Sequence, residues 1–123
     1  MDFQVRVEAR DGYVEATLMG VRTPATLMAA AEQVTGVCNE LKIFKVLIDV
    51  RKMRGKLDTL ETFDVAGHKI PQRPGMRLIT KSAILDLPPN MDRIRFFETV
   101  AVNRGLNVRV FDDEAAAVEW LQG

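Results

Sequence analysis

Two aspartates close apolar runs in this sequence, and carboxylates so placed can hold a cation or move a proton. Asp49 follows Ile43-Phe44-Lys45-Val46-Leu47-Ile48, and Asp86 follows Ser82-Ala83-Ile84-Leu85. Open sheets bind ligands beyond the carboxyl ends of their parallel strands, so Asp49 and Asp86 could meet across one rim as a paired site. An aspartate at a strand end more often caps a turn or pairs with an arginine, and no third acidic ligand has a matching spacing. The segment Arg51-Lys52-Met53-Arg54-Gly55-Lys56 reads as a basic loop running into Asp58-Thr59-Leu60-Glu61. Asp58 as N-cap with Glu61 three residues on has the form of a capping box. Basic side chains beside helix N–H groups can hold an anion, which makes Arg51, Lys52, Arg54, Lys56, Asp58 and Thr59 a candidate anion site. A solvated loop accounts for the same residues more simply. The spacing G-x-x-x-x-G-K-[ST] is absent, which rejects a nucleotide-binding P-loop.

The other reactive residue types offer less. His68 is the one histidine, and it shares a polar helix face with Glu61 and Asp64, opposite an apolar stripe of Leu60, Phe63, Gly67 and Ile70. Asp64 and His68 are four residues apart and can pair on the surface, but one imidazole is too few for zinc or iron. Ser82 lies inside an apolar run with no G-x-S-x-G around it. Cys38 falls on the apolar stripe of a helix and reads as a buried structural thiol. No catalytic constellation, metal site or cofactor is expected, and an enzyme ranks behind a binding function.

Periodicity supplies the frame. Phe3, Val5, Val7 and Ala9 alternate with polar residues, Asp11-Gly12 marks a turn, and Val14, Ala16 and Leu18 resume the alternation, which predicts an antiparallel hairpin. Thr23-Pro24 opens a helix over about 24–40. Residues 43–50 predict a buried central strand, 58–70 a second helix, 82–85 a strand, and 89–104 a third helix stopped at Arg104-Gly105. Residues 107–111 predict a short strand, and Asp112 or Asp113 caps a last helix. The order β-β-α-β-α-β-α-β-α predicts an α/β fold with a single mixed, mostly parallel sheet of about five strands, entered by an N-terminal antiparallel hairpin.

With 123 residues, 47% apolar and 28% charged, the chain is expected to form one domain over residues 1–123. The N-terminus lacks the pattern of a signal peptide, no run is long enough to span a membrane, and the lone Cys38 suits a reducing compartment; a cytoplasmic protein is expected. The 17 basic and 17 acidic residues cancel only overall. Residues 1–50 carry 5 basic and 7 acidic side chains, residues 51–110 carry 12 and 6, and residues 111–123 carry none and 4. A basic middle between acidic ends favours an anionic or acidic partner. Nucleic acid is not expected, because no aromatic stacking platform accompanies the charge.

The third helix carries more apolar surface than one sheet face needs. Ile94, Phe97 and Ala101 form its core stripe, while Phe96 projects off it with Val100, Arg93 and Arg104 nearby. Phe96 either packs beneath a neighbouring segment or contributes to a partner or ligand surface made of Phe96, Val100, Arg93 and Arg104.

Asp92-Arg93-Ile94-Arg95-Phe96-Phe97-Glu98, running on to Val110-Phe111 and Glu119-Trp120-Leu121, resembles the SpoIIAA-like, STAS-type proteins, in particular a small stand-alone bacterial branch described as STAS/CRAL-TRIO-like. The resemblance covers nearly the whole chain and implies one mixed sheet flanked by helices. Better-known members are anti-sigma-factor antagonists that bind a kinase, switched by phosphorylation of a serine at the start of the second helix. At the matching place this sequence has Asp58-Thr59 and no serine. The expected function is therefore a non-catalytic binding or regulatory module that acts through protein contacts and self-associates, with a homodimer as one form. The alternative is binding of a lipid or other amphiphilic small molecule, with a membrane surface as one setting, favoured by scattered methionines and basic residues.

Overall fold

The computed structural model describes residues 3–123. Strands β1 (Gln4–Ala9) and β2 (Val14–Val21) form the expected antiparallel hairpin, with Val5 opposite Leu18 and Val7 opposite Ala16. Gly12 turns the chain at φ +83, a conformation that side-chain-bearing residues rarely adopt. β2 then pairs in parallel with β3 (Lys45–Arg54), β3 with β4 (Lys81–Leu85) and β4 with β5 (Val108–Phe111). Spatial order therefore equals chain order.

That order decides where the helices lie. Right-handed crossovers that always step the same way place their helices on one face of the sheet. On that face α1 (Pro24–Leu41) and α4 (Met91–Asn103) pack Ala30, Val34, Cys38, Val100 and Ala101 against Val14, Ala16, Leu18, Val46 and Val50. Between β3 and β4 the crossover is a composite of α2 (Thr59–Asp64), a π-helical turn (Val65–Lys69) and α3 (Ile70–Gln72). Among the described residues, α5 (Glu114–Gln122), after the last strand, is the one helix that reaches the other face, where Ala117 and Leu121 cover Leu47, Ala83 and Leu85.

The helix starts follow the sequence. Thr23 Oγ1 accepts from the Thr26 N–H at 3.0 Å while Thr26 Oγ1 accepts from the Thr23 N–H at 3.0 Å, with Pro24 at the first helical position. Asp58 and Glu61 close the expected capping box, and Asp113 caps α5 through the Ala116 N–H. Cys38 is buried on the apolar stripe of α1, and burial pushes its thiol up to about 11. A thiol-reactive dye at pH 8 is therefore expected to label the native protein far more slowly than the protein unfolded in urea. Equal rates would place Cys38 at the surface.

Two expectations need correction. Residues 51–54 are not a loop: β3 continues to Arg54 because β2 offers it partners out to Val21, beyond a register shift between Thr17 and Met19. Its last residues alternate, with Met53 buried and Lys52 and Arg54 exposed. The second correction concerns the expected apolar stripe of the second helix: Gly67 is buried and Ile70 half-buried as that stripe requires, but its first two members, on α2, face outward. Leu60 is 80% exposed and Phe63 46%, whereas Thr62, Val65, Ala66 and Gly67 are buried. Pro71 explains the shifted phase: it has no N–H for the next α-helical bond, and its ring would press on the preceding turn. The chain widens just ahead of it, where the Ile70 N–H bonds to the Val65 carbonyl. The same wide turn changes a surface pair, since Asp64 meets Lys69 five residues on, at 3.2 Å, in place of the expected His68.

Candidate functional site

Four parallel strands end on one rim, and the buried polar chemistry there is built around Asp86. Its carboxylate is fully buried and receives Arg22 end-on, Nη1 donating to Oδ2 at 2.7 Å and Nη2 to Oδ1 at 2.9 Å. The Leu87 N–H and Asn90 Nδ2 also donate to Oδ1, at 2.8 and 3.0 Å, and Arg22 Nη2 reaches the Val50 carbonyl at 3.2 Å. Burial alone would push the Asp86 carboxyl up. The hydrogen bonds from Arg22, Asn90 and Leu87, with the Arg22 charge, outweigh it and hold the carboxyl below its ordinary value.

Asp49 belongs to a different environment. It lies within β3, opposite Leu85 of β4, on the face covered by α5. Asp86, one residue further along its chain, turns to the α1–α4 face, because side chains alternate along a strand. The expected convergence of Asp49 and Asp86 is thus replaced by two separate ion pairs. Arg51 Nε and Nη2 donate to the Asp49 carboxylate at 3.0 and 2.9 Å, and Nη2 reaches Glu114 at 3.1 Å. The hydrogen bond to Asp49 is the largest influence raising the Arg51 guanidinium above its ordinary value.

The residues of the candidate anion site run from the end of β3 into the start of α2. Arg51 is committed to Asp49 and Glu114, Lys52 and Arg54 point away from the buried Met53, and Lys56 stands beyond the Gly55 turn. Asp58 already accepts from the Glu61 N–H at 2.8 Å, so a carboxylate occupies the start of α2. Thr59 is exposed beside it. Among the described residues, no three His, Cys, Asp or Glu side chains stand close enough to hold a metal ion. No helix among them is long and apolar enough to cross a membrane.

The expected partner surface divides as well. Val100 is not at the surface: it is buried, and its Cγ1 lies 3.1 Å from where a Cβ on Gly67 would stand. Gly67 thus lets the π-helical turn approach α4 closely. Phe96 is half-buried and meets Phe63 edge-on, with ring centroids 5.9 Å apart. Arg93 on α4 and Arg104, the residue that caps its C-terminus, are exposed, and Arg104 Nε lies 3.7 Å from the Cβ position of Gly67. Leu60, Phe63 and Phe96 with these arginines form an apolar patch with a cationic border.

A cavity of about 150 Å³ lies between the sheet and the helices of the α1–α4 face. Ile48 and Ile84 line it from the sheet, Ala31 and Val34 from α1, and Ile94 and Phe97 from α4. Arg22, Lys56, Asn90 and Arg93 stand where it approaches the rim. The Arg22 side chain is 10% exposed, and its Nε is buried without a hydrogen-bond partner among the described residues. Sequence reasoning missed Arg22, because its partner lies 64 residues away and no local pattern links them.

No family model matches the chain, and no curated protein matches it. Among solved structures it is similar to an anti-sigma factor antagonist from Mycobacterium paratuberculosis, with a TM-score of 0.62 at 14% identity over 98% of this chain and 95% of that one. It is also similar to an uncharacterised protein with a SpoIIAA-like fold from Shewanella loihica, with a TM-score of 0.60 at 18% identity over the same shares. The five-stranded mixed sheet, its consecutive strand order and these two likenesses agree: the chain has the SpoIIAA-like fold.

Proposed function

We propose that this protein is a single-domain, non-catalytic regulatory module that works through protein contacts at the α2–α4 surface, in the cytoplasm. The observation that carries this reading is the outward face of α2. A helix that exposes Leu60 and Phe63 while burying Thr62 gains nothing from folding alone, and exposed apolar clusters of this kind mark contact sites. Arg93 and Arg104 border the patch, so an acidic protein surface complements it. The likeness to an anti-sigma factor antagonist supports a partner-binding role.

The test places a photo-crosslinking residue at position 60 or 63 in cells of the source organism. One discrete adduct with an acidic protein is expected, and none from the same residue at Glu8 on the far edge of the sheet. Adducts of equal intensity from both sites would sink the reading. Light scattering tests self-association separately: a mass above 13.8 kDa that falls on Phe96→Ala would make the partner a second copy.

A further inference from the structure

We propose that the cavity beneath α1 and α4 binds a small uncharged molecule with an apolar body and one hydrogen-bond-accepting oxygen, anchored on the Arg22 Nε–H. Three observations converge on that chemistry. The first is size: an apolar cavity of about 150 Å³ accepts a molecule of roughly benzene dimensions. The second is the unused donor. The end-on pair with Asp86 engages both Nη atoms and leaves the Nε edge of the guanidinium buried and without a protein partner among the described residues. Arg22 forms part of the cavity wall, so an oxygen entering there can take up the Nε–H, a fourth of its five donors after the three that Asp86 and Val50 engage.

The third is charge. Asp86 already balances the guanidinium in a site removed from water. At the anchor itself a second anion would sit beside the Asp86 carboxylate and a cation beside Arg22, so each meets a like charge there, while Lys56 and Arg93, which also line the cavity, are exposed and act through water. A carbonyl, ester or hydroxyl oxygen carries the needed lone pair without that conflict. A ketone on an apolar ring therefore fits where a fatty anion does not.

Three probes of matched shape separate these terms: acetophenone, α-methylstyrene (a methylene in place of the carbonyl oxygen) and benzoate. Each is titrated into the full chain while methyl NMR signals of Ile48, Ile84, Val34 and Ile94 are followed. Acetophenone should give saturable shifts at these methyls and bind about tenfold or more tightly than α-methylstyrene. Benzoate should bind more weakly than acetophenone. Ala31→Leu, which adds bulk inside the cavity, should abolish all three interactions while the protein remains folded. The paired change Arg22→Met with Asp86→Leu should keep the cavity and erase the preference for the ketone. No saturable shift with acetophenone overturns the site. Equal binding of acetophenone and α-methylstyrene overturns the anchor, and tightest binding of benzoate overturns the uncharged class. The probe series on the unaltered protein decides all three without any variant.

Discussion

Replacing Asp86 with alanine is expected to destabilise the protein by about 3–5 kcal/mol, because it strands a buried guanidinium. Arg22 would keep only its Val50 contact, and the Leu87 N–H and Asn90 amide would lose their acceptor. A loss of that size is a large fraction of the roughly 5–15 kcal/mol that holds a domain of this size together. The effect comes from breaking the pair rather than from its net worth. The paired change Arg22→Met with Asp86→Leu should therefore recover most of it. Urea unfolding of the two variants beside the unaltered protein measures both, and equal losses would assign the cost to shape instead of charge. The pH dependence has a definite sign. The Asp86 carboxyl titrates lower in the folded protein than in the unfolded chain, where an aspartate titrates near about 4. Its contribution is thus fully present above about pH 4 and is lost as pH falls through the depressed folded value. The stability gap to Asp86→Asn should narrow over that acid range; a constant gap would mean that ionisation is not its source.

Leu121→Ala is the second large effect. Leu121 is fully buried in the smaller core with Leu47, Ala83, Leu85 and Ala117, and truncating such a leucine costs about 2–5 kcal/mol. One helix closes this face, so the loss should fall first on α5. Four polar contacts also hold α5: Lys81 Nζ donates to the Trp120 and Gly123 carbonyls at 2.8 and 3.1 Å, Arg51 reaches Glu114, and Gln122 Nε2 donates to the Asp11 carbonyl at 3.2 Å. These are partly or fully exposed and cannot replace a buried side chain. Hydrogen exchange should show amides of α5 losing protection in Leu121→Ala while those of α1 keep theirs. Uniform loss across both helices would show that the two faces unfold as one unit.

What could be read from the sequence divides along physical lines. Local signals were sufficient for the hairpin at Gly12, the caps at Thr23 and Asp58, the burial of Cys38 and the order of elements. Each depends on residues within a few positions of one another. Register and helix phase were not local. Asp49 is expected near a strand end because the apolar run gives way to Arg51-Lys52 just after it, yet β2 carries the pairing on to Arg54. The facing of α2 was misjudged because Pro71 imposes a π-helical turn, which breaks the spacing from which an apolar stripe is counted. The site itself was half legible. Asp86 stood out as a carboxylate closing an apolar run, but its partner Arg22 carries no signal until the sheet brings β2 and β4 to a common rim. Val100 looked like surface because the close approach permitted by Gly67 cannot be read from a helical wheel.

The consecutive strand order has a kinetic consequence. Every strand pairs with its neighbour in the chain, so no strand has to be inserted between two that are already joined. Loop closure then costs at most one helical crossover at each step, and the mean sequence separation of contacts stays low for a largely parallel sheet. The sheet can grow at one edge from the β1–β2 hairpin, each new strand arriving on a template complete behind it. Such a chain should fold faster than α/β proteins of similar length whose central strand comes late in the sequence.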